Sequence, residues 1–130
     1  MRDALGDGYV EALRSAHRSV DNTVDFVMYW WNQALEITSG SPNTRSGFIS
    51  TNSITQKLNR SVLGKVLDDP KANVRITFAV PDHPWVDSDH GAAVRISMIV
   101  VAASTIQGTL CKVTSESESN DEDVNVELST

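Results

Sequence analysis

The sequence predicts an α/β fold: a mixed sheet made of a βαβ unit and an antiparallel final strand, with helices at the N-terminus. An apolar run at Gly47–Ile49 passes into a polar turn, Ser50–Ser53, and a helical pattern follows directly. The alternating segment 74–80 predicts a second strand, and the apolar segment 92–103 predicts a third. Strand, helix and strand in this order form a βαβ unit, for which a right-handed crossover is expected.

Two helices are predicted before the sheet. Apolar residues recur at helical spacing from Tyr9 to His17, and over a wider surface in Phe26–Thr38. The polar stretch Arg18–Thr23 connects the two segments. Asp25 directly precedes the second helix, so its carboxylate is predicted to cap that helix.

The helix of the βαβ unit has a recognisable start and end. Ser53 and Gln56 lie three residues apart, which is the spacing of a capping box. The apolar stripe that follows ends at Asp69–Pro70, where proline stops the helix. The stripe consists of Ile54, Leu58, Val62, Val66 and Leu67.

The strands in the second half of the chain follow from alternation and from the loop between them. Residues 74–80 alternate, and the pattern predicts one shared face for Val74, Ile76, Phe78 and Val80. The loop Pro81–Gly91 contains no helical pattern, so the strand Ala92–Ala103 is predicted to run antiparallel to its predecessor. Thr109–Val113 predicts a short edge strand.

Composition describes one soluble domain with an acidic end. The 130 residues are 40% hydrophobic and 22% charged, and no apolar run approaches the ~20 residues that span a bilayer. Six of the 17 acidic residues follow Thr114, where no Lys or Arg occurs, so the other 11 balance the 11 basic residues. We expect residues 1–114 to form the domain and residues 115–130 a disordered tail.

The cellular compartment is predicted from the cysteine content and from the N-terminus. Cys111 is the single cysteine, which excludes an internal disulfide and agrees with a reducing cytoplasm. The first residues form no apolar signal core, so we expect a cytoplasmic protein without a membrane partner.

The candidate site lies where the first two strands end. If these strands are parallel, the turn Ser50–Ser53 and the loop Pro81–Gly91 open on the same edge of the sheet, where such folds bind ligands. Thr51 and Asn52 offer hydrogen-bonding groups beside a helix N-terminus, although such residues can equally serve only to cap the helix.

The second loop combines one aromatic side chain with several carboxylates and imidazoles. Trp85 offers a stacking surface for a flat ring, or else it fills the end of the sheet. A metal site is chemically conceivable but matches no known ligand spacing. The polar residues of this loop are Asp82, His83, Asp87, Asp89 and His90.

Three segments resemble the catalytic domain of adenine-specific N6 DNA methyltransferases of the restriction–modification and phage-defence type. They are Asp25–Ile37, Arg45–Leu67 and Ile76–Val101, with FISTNSITQ the most specific part. The resemblance implies the second half of a Rossmann-like domain, whose last two strands form an antiparallel hairpin. It also implies methyl transfer from S-adenosylmethionine to adenine in DNA.

The motifs that carry the chemistry of this family are missing from the chain. The sequence contains neither a glycine-rich cofactor loop nor an Asn-Pro-Pro-aromatic motif. Met1 therefore resembles an internal methionine of a longer enzyme. We expect a fragment that is inactive and binds no cofactor alone, and that a complementary methyltransferase subunit would complete.

The resemblance also implies residues for the substrate. Trp85 would stack on the flipped adenine, and Asp82 and His83 would line the same mouth. One alternative is a non-catalytic module that binds nucleic acid or a partner through Trp85. Another is a small metallohydrolase that uses Asp82, His83 and His90.

Overall fold

The computed structural model describes residues 2–85, 94–105, 107–118 and 124–130. Helices in these ranges are α1 (Arg2–Leu5), α2 (Asp7–Ala16), α3 (Val27–Gly40) and α4 (Lys57–Leu67). The strands are β1 (Arg45–Thr51), β2 (Val74–Pro84), β3 (Arg95–Ala103), β4 (Thr109–Leu110), β5 (Lys112–Glu118) and β6 (Val124–Ser129). A 3₁₀ turn, Asn52–Thr55, separates β1 from α4. The predicted α/β class with N-terminal helices is confirmed.

The main sheet has four strands in the order β1–β3–β2–β4. Strand β3 is antiparallel to both of its neighbours, so β1 and β2 run in the same direction on either side of it. Helix α4 connects these two strands, and β4 pairs in parallel with β2. The predicted βαβ unit and antiparallel final strand are therefore both present. Strand β2 continues to Pro84, into the segment predicted to be a loop.

One prediction about β2 is wrong, because the strand contains an irregularity at Thr77. Ile76 opposes Val101 and Phe78 opposes Val100, so two steps along β2 correspond to one step along β3. Residues directly opposite each other share a face, and successive residues of β3 alternate. Phe78 therefore lies on the face opposite to Ile76, and the four apolar residues of this strand do not share one face.

The core lies between the sheet and the two long helices. Helices α3 and α4 cover one face of the sheet, and Trp31 at the centre is fully buried. The Trp31 ring meets Phe48 of β1 edge-on, with 4.8 Å between the ring centroids. This position explains the wide apolar surface of α3, since the helix contacts both the sheet and α4.

Both predicted helix caps are wrong, because the capping side chains bind other partners. Helix α3 begins at Val27 without a side-chain cap, and the Asp25 carboxylate accepts hydrogen bonds from Ser53 and Asn59. Helix α4 begins at Lys57, also without a side-chain cap, because Ser53 belongs to the preceding 3₁₀ turn. The capping box between Ser53 and Gln56 therefore does not form.

The described parts of the acidic segment form strands. Strands β5 and β6 pair antiparallel in a second, two-stranded sheet, so the expected boundary at residue 114 falls within β5. The predicted edge strand Thr109–Val113 is divided at Cys111, whose amide donates to the Ala79 carbonyl at 2.8 Å. Val124, Val126 and Leu128 alternate with polar residues, which is the signal for a strand that acidic composition obscured.

The sequence predicts no segment long enough to span a membrane. Across the four described ranges, none of the helices combines the length and the apolar character that a bilayer crossing requires.

Candidate functional site

The turn after β1 meets the end of β2 at one edge of the sheet. Asn52 follows β1 and Asp82 lies near the end of β2, and the Asn52 Nδ2 atom donates to Asp82 Oδ1 at 3.1 Å. The contact joins residues 30 positions apart in the sequence. It forms because β1 and β2 run in the same direction and end at the same edge of the sheet.

Asn52 also forms a hydrogen bond with β3, the strand between β1 and β2. The Ser97 hydroxyl donates to Asn52 Oδ1 at 2.7 Å, and Ser97 is buried. The Asn52 amide thus donates to one neighbour and accepts from another, which defines the orientation of its oxygen and nitrogen. Sequence reasoning did not identify Ser97, although it is the one hydroxyl within the apolar run Ile96–Ala103 of β3.

Asp82 lies in a β-bulge. Val80 opposes Met98 and His83 opposes Ile96, so Pro81 and Asp82 together face the single residue between them on β3. Asp82 has a φ of 50°, a left-handed conformation that is uncommon for residues other than glycine. The bulge turns the Asp82 carboxylate toward the turn after β1.

A basic residue that sequence reasoning missed binds Asp82 twice. Arg95 Nε lies 2.5 Å from Asp82 Oδ1, and Arg95 Nη2 donates to the Asp82 backbone carbonyl. Arg95 is the first residue of β3 and opposes Pro84. The pairing of β2 with β3 places Arg95 next to the bulge that contains Asp82. This pairing is the signal that could have identified Arg95, and it becomes known only with the register of the two strands.

Thr51 belongs to a neighbouring hydrogen-bond cluster. Its hydroxyl lies 2.7 Å from that of Ser53, which in turn donates to Asp25 Oδ2 at 2.6 Å. The buried Asn59 side chain donates to the same Asp25 oxygen at 2.8 Å and to the Ser53 carbonyl at 2.9 Å. Thr51 and Ser53 therefore stabilise the turn and its contact with Asp25, which precedes α3.

His83 contacts the second sheet. Its Nε2 atom lies 2.9 Å from Glu116 Oε1 on β5, and only 13% of the His83 side chain is exposed. A groove of about 600 Å³ lies between the end of β2 and this hairpin. Three basic side chains, His83, Arg95 and Lys112, line that groove together with Asp82.

Trp85 follows β2 directly and is half-exposed. Its amide donates to the Val94 carbonyl at 2.8 Å, which closes the hairpin at this point. Asp87, Asp89 and His90 lie outside the described residues. Among the residues that are described, no three His, Cys, Asp or Glu side chains form a group that could hold a metal ion.

Two comparisons relate this fold to restriction–modification DNA methyltransferases. The solved structure of the Type IIL restriction–modification enzyme MmeI in complex with DNA matches with a TM-score of 0.64 and 25% sequence identity. The match covers 93% of this chain and 16% of the MmeI chain. No curated protein matches the chain.

The family itself is shown by a second comparison. Residues 7–112 match the family described as MmeI, DNA-methyltransferase domain, and the chain belongs to this family. The resemblance drawn from the sequence is thereby confirmed at the level of a restriction–modification DNA methyltransferase fragment.

Proposed function

We propose that this chain forms the base-binding edge of an adenine-specific N6 DNA methyltransferase that acts in the cytoplasm. The observation that carries the proposal is the Asn52–Asp82 hydrogen bond, which joins the turn after β1 to the end of β2, with the half-exposed Trp85 directly after β2. Family membership supports DNA as the substrate of the intact enzyme.

An extruded adenine needs new contacts on its faces and its edge. Flipping a base out of the duplex costs a few kcal/mol, which stacking and hydrogen bonds in the pocket offset. We assign the stacking contact to the Trp85 indole, and the polar contacts at the mouth to Asn52, Asp82, Thr51 and His83. The Asn52 amide is oriented by Ser97 and Asp82, so it is prepared for a directional hydrogen bond.

The residues of this chain do not fit as a cradle for S-adenosylmethionine. The sequence has no glycine-rich loop, and the polar groups of the turn after β1 bind one another, Asp25 and Asp82. We therefore assign no step of methyl transfer to this chain. In the intact enzyme, the cofactor site and the Asn-Pro-Pro-aromatic motif would come from another segment or from a complementary subunit.

A titration with modified DNA tests the role of Trp85. The probe is a duplex in which 2-aminopurine faces an abasic site, and its fluorescence is followed as the 130-residue chain is added. Because base stacking on an aromatic ring contributes ~1–3 kcal/mol, we expect Trp85→Ala to weaken binding about 5- to 150-fold.

Trp30→Ala is the matched control, because Trp30 is 51% exposed and Trp85 is 50% exposed. Trp30 lies on α3, far along the chain from the two turns. We expect its variant to bind the probe as the unmodified chain does. Equal binding by the Trp85 variant and the unmodified chain would contradict the proposed base contact.

Calorimetric titration with S-adenosylmethionine tests the proposed division of labour. We expect no heat of binding for the 130-residue chain, because it has no segment that resembles a cofactor loop. Micromolar binding would show that this chain carries a cofactor site of its own. A non-catalytic nucleic-acid-binding module would also bind DNA without binding the cofactor. Methyl transfer that appears when a complementary methyltransferase subunit is added would distinguish the methyltransferase fragment from such a module.

A further inference from the structure

Arg95 binds both the main chain and the side chain of one residue. Its Nε atom lies 2.5 Å from Asp82 Oδ1, and its Nη2 atom donates to the Asp82 backbone carbonyl. The planar guanidinium presents its donors in a rigid fork, so the two contacts together restrict the rotation of Asp82. The same Asp82 oxygen also accepts from Asn52.

The residue that Arg95 binds is the one that needs support. Asp82 has a φ of 50° in the bulge opposite Ser97. A residue with a β-carbon adopts this conformation at an energetic cost, and surrounding contacts must maintain it. The described contacts that do so are those from Arg95 and Asn52.

The bulge determines the direction in which the chain leaves β2. Pro84 opposes Arg95 directly, and the next residue, Trp85, is attached to β3 by its amide hydrogen bond to Val94. A bulge re-aims the residues that follow it, because the extra residue bends the strand and increases its twist. If the Asp82 backbone relaxed from its positive φ, the Trp85 indole would therefore move relative to Asn52.

We propose that Arg95 is a positioning residue: it holds the Pro81–Asp82 bulge and thereby keeps Trp85 at the edge that carries Asn52. Arg95 acts through Trp85 and does not contact the base. The consequence for DNA rests on the proposed function of Trp85, whereas the positioning itself does not. Two experiments on the full 130-residue chain separate these two parts.

Hydrogen exchange without DNA tests the positioning. We expect Arg95→Ala and Arg95→Lys to accelerate exchange of the Trp85 amide by about tenfold or more under conditions where each variant is folded. The lysine variant keeps the charge but lacks the fork. Arg75→Ala, which removes an exposed arginine from β2, should leave this amide unchanged. An unchanged Trp85 amide in Arg95→Ala would overturn the proposal.

A double-mutant cycle with the 2-aminopurine duplex tests the route of action. We expect Arg95→Lys, which keeps the charge, to weaken binding about fivefold or more in the unmodified background and clearly less in the Trp85→Ala background, where only the support of Asp82 is lost. The salt dependence of binding should stay the same, because the lysine keeps the positive charge of Arg95. Equal losses in both backgrounds would mean a direct contact with DNA and would overturn the proposal. If Trp85→Ala alone has no effect, the proposed function fails, and the exchange experiment still decides the positioning.

Discussion

At the scale of single residues, two asparagine side chains, Asn59 and Asn52, organise the turns of this protein. Asn59 on α4 is 3% exposed, accepts from the Asp25 amide at 3.0 Å, and donates to Asp25 and to the Ser53 carbonyl. Asn52 links β1, β2 and β3 in the same way. Both side chains form hydrogen bonds between segments that are distant in the sequence, so each stabilises the packing of one element against another.

Asn59→Ala should therefore destabilise the protein. Its removal leaves donors and acceptors around Asp25 and Ser53 without their buried partner, and each such loss costs ~1–3 kcal/mol. We expect the free energy of unfolding to fall by about 1–3 kcal/mol in urea denaturation. Asn32→Ala is the control, since Asn32 makes only an exposed bond to Glu36 and should change stability by about 0.2–0.5 kcal/mol. Similar losses in the free energy of unfolding for both variants would contradict this stabilising role of Asn59.

At the scale of elements, the short strand β4 depends on a close approach of two backbones. A β-carbon on Gly108 would lie 2.0 Å from the Ile76 carbonyl oxygen and 2.9 Å from its carbonyl carbon. Neither atom can move without displacing β2. Beyond this point, β4 pairs with Phe78 and Ala79, and the Cys111 amide binds the Ala79 carbonyl.

Gly108→Ala should detach this strand from the sheet. We expect faster hydrogen exchange at the Cys111 amide and a loss of about 1–3 kcal/mol in stability, as is usual for overpacking. Gly40→Ala is the control, because a β-carbon at Gly40 would meet nothing within 4 Å. Its stability should stay within about 0.5 kcal/mol of the unmodified chain. Unaltered protection of Cys111 in Gly108→Ala would refute this role of the close contact.

At the scale of the whole molecule, the excess negative charge lies after Thr114, and one described carboxylate of that segment, Glu116, lies beside the proposed base-binding edge. The net charge of −6 comes from the segment after Thr114, and that segment begins within β5. The His83–Glu116 contact connects β5 to the end of β2. Phosphates that approach this edge would meet the carboxylates of the hairpin, since exposed charges interact over about 10 Å at 0.1 M salt.

Glu116→Gln should strengthen binding to the 2-aminopurine duplex severalfold at low ionic strength, because one carboxylate beside the edge is neutralised. The gain should shrink as salt is added, and stability should change by less than about 1 kcal/mol, because the Glu116 side chain is 47% exposed. Glu127→Gln is the control, because it removes a charge from the same hairpin. Glu127 does not form the contact with His83 that places Glu116 at the end of β2, so we expect a smaller gain in affinity for this variant. A gain that persists at high salt would rule out this electrostatic explanation.

Much of the site could be predicted because strand direction follows from connectivity. The helix between β1 and β2 implied parallel strands, so Thr51, Asn52 and Asp82 were expected at one edge, and the Asn52–Asp82 bond lies there. Arg95 and Ser97 were not predicted, because their roles depend on the bulge in β2. No local pattern reveals which residue of a strand will be the extra one.

The sequence by itself determined the class of the fold, the relative directions of the first three strands, and the family. Hydrophobic periodicity and the length of each connection set the fold class and the strand directions, and both are local properties. The family followed from the resemblance of three segments, FISTNSITQ above all. Only the tertiary structure decided where the polar side chains form hydrogen bonds. Ser53 binds Asp25 across 28 positions, and Ser97 binds Asn52 across 45. Such partners compete with local caps, and the competition is resolved only when the chain has folded and buried the competing groups.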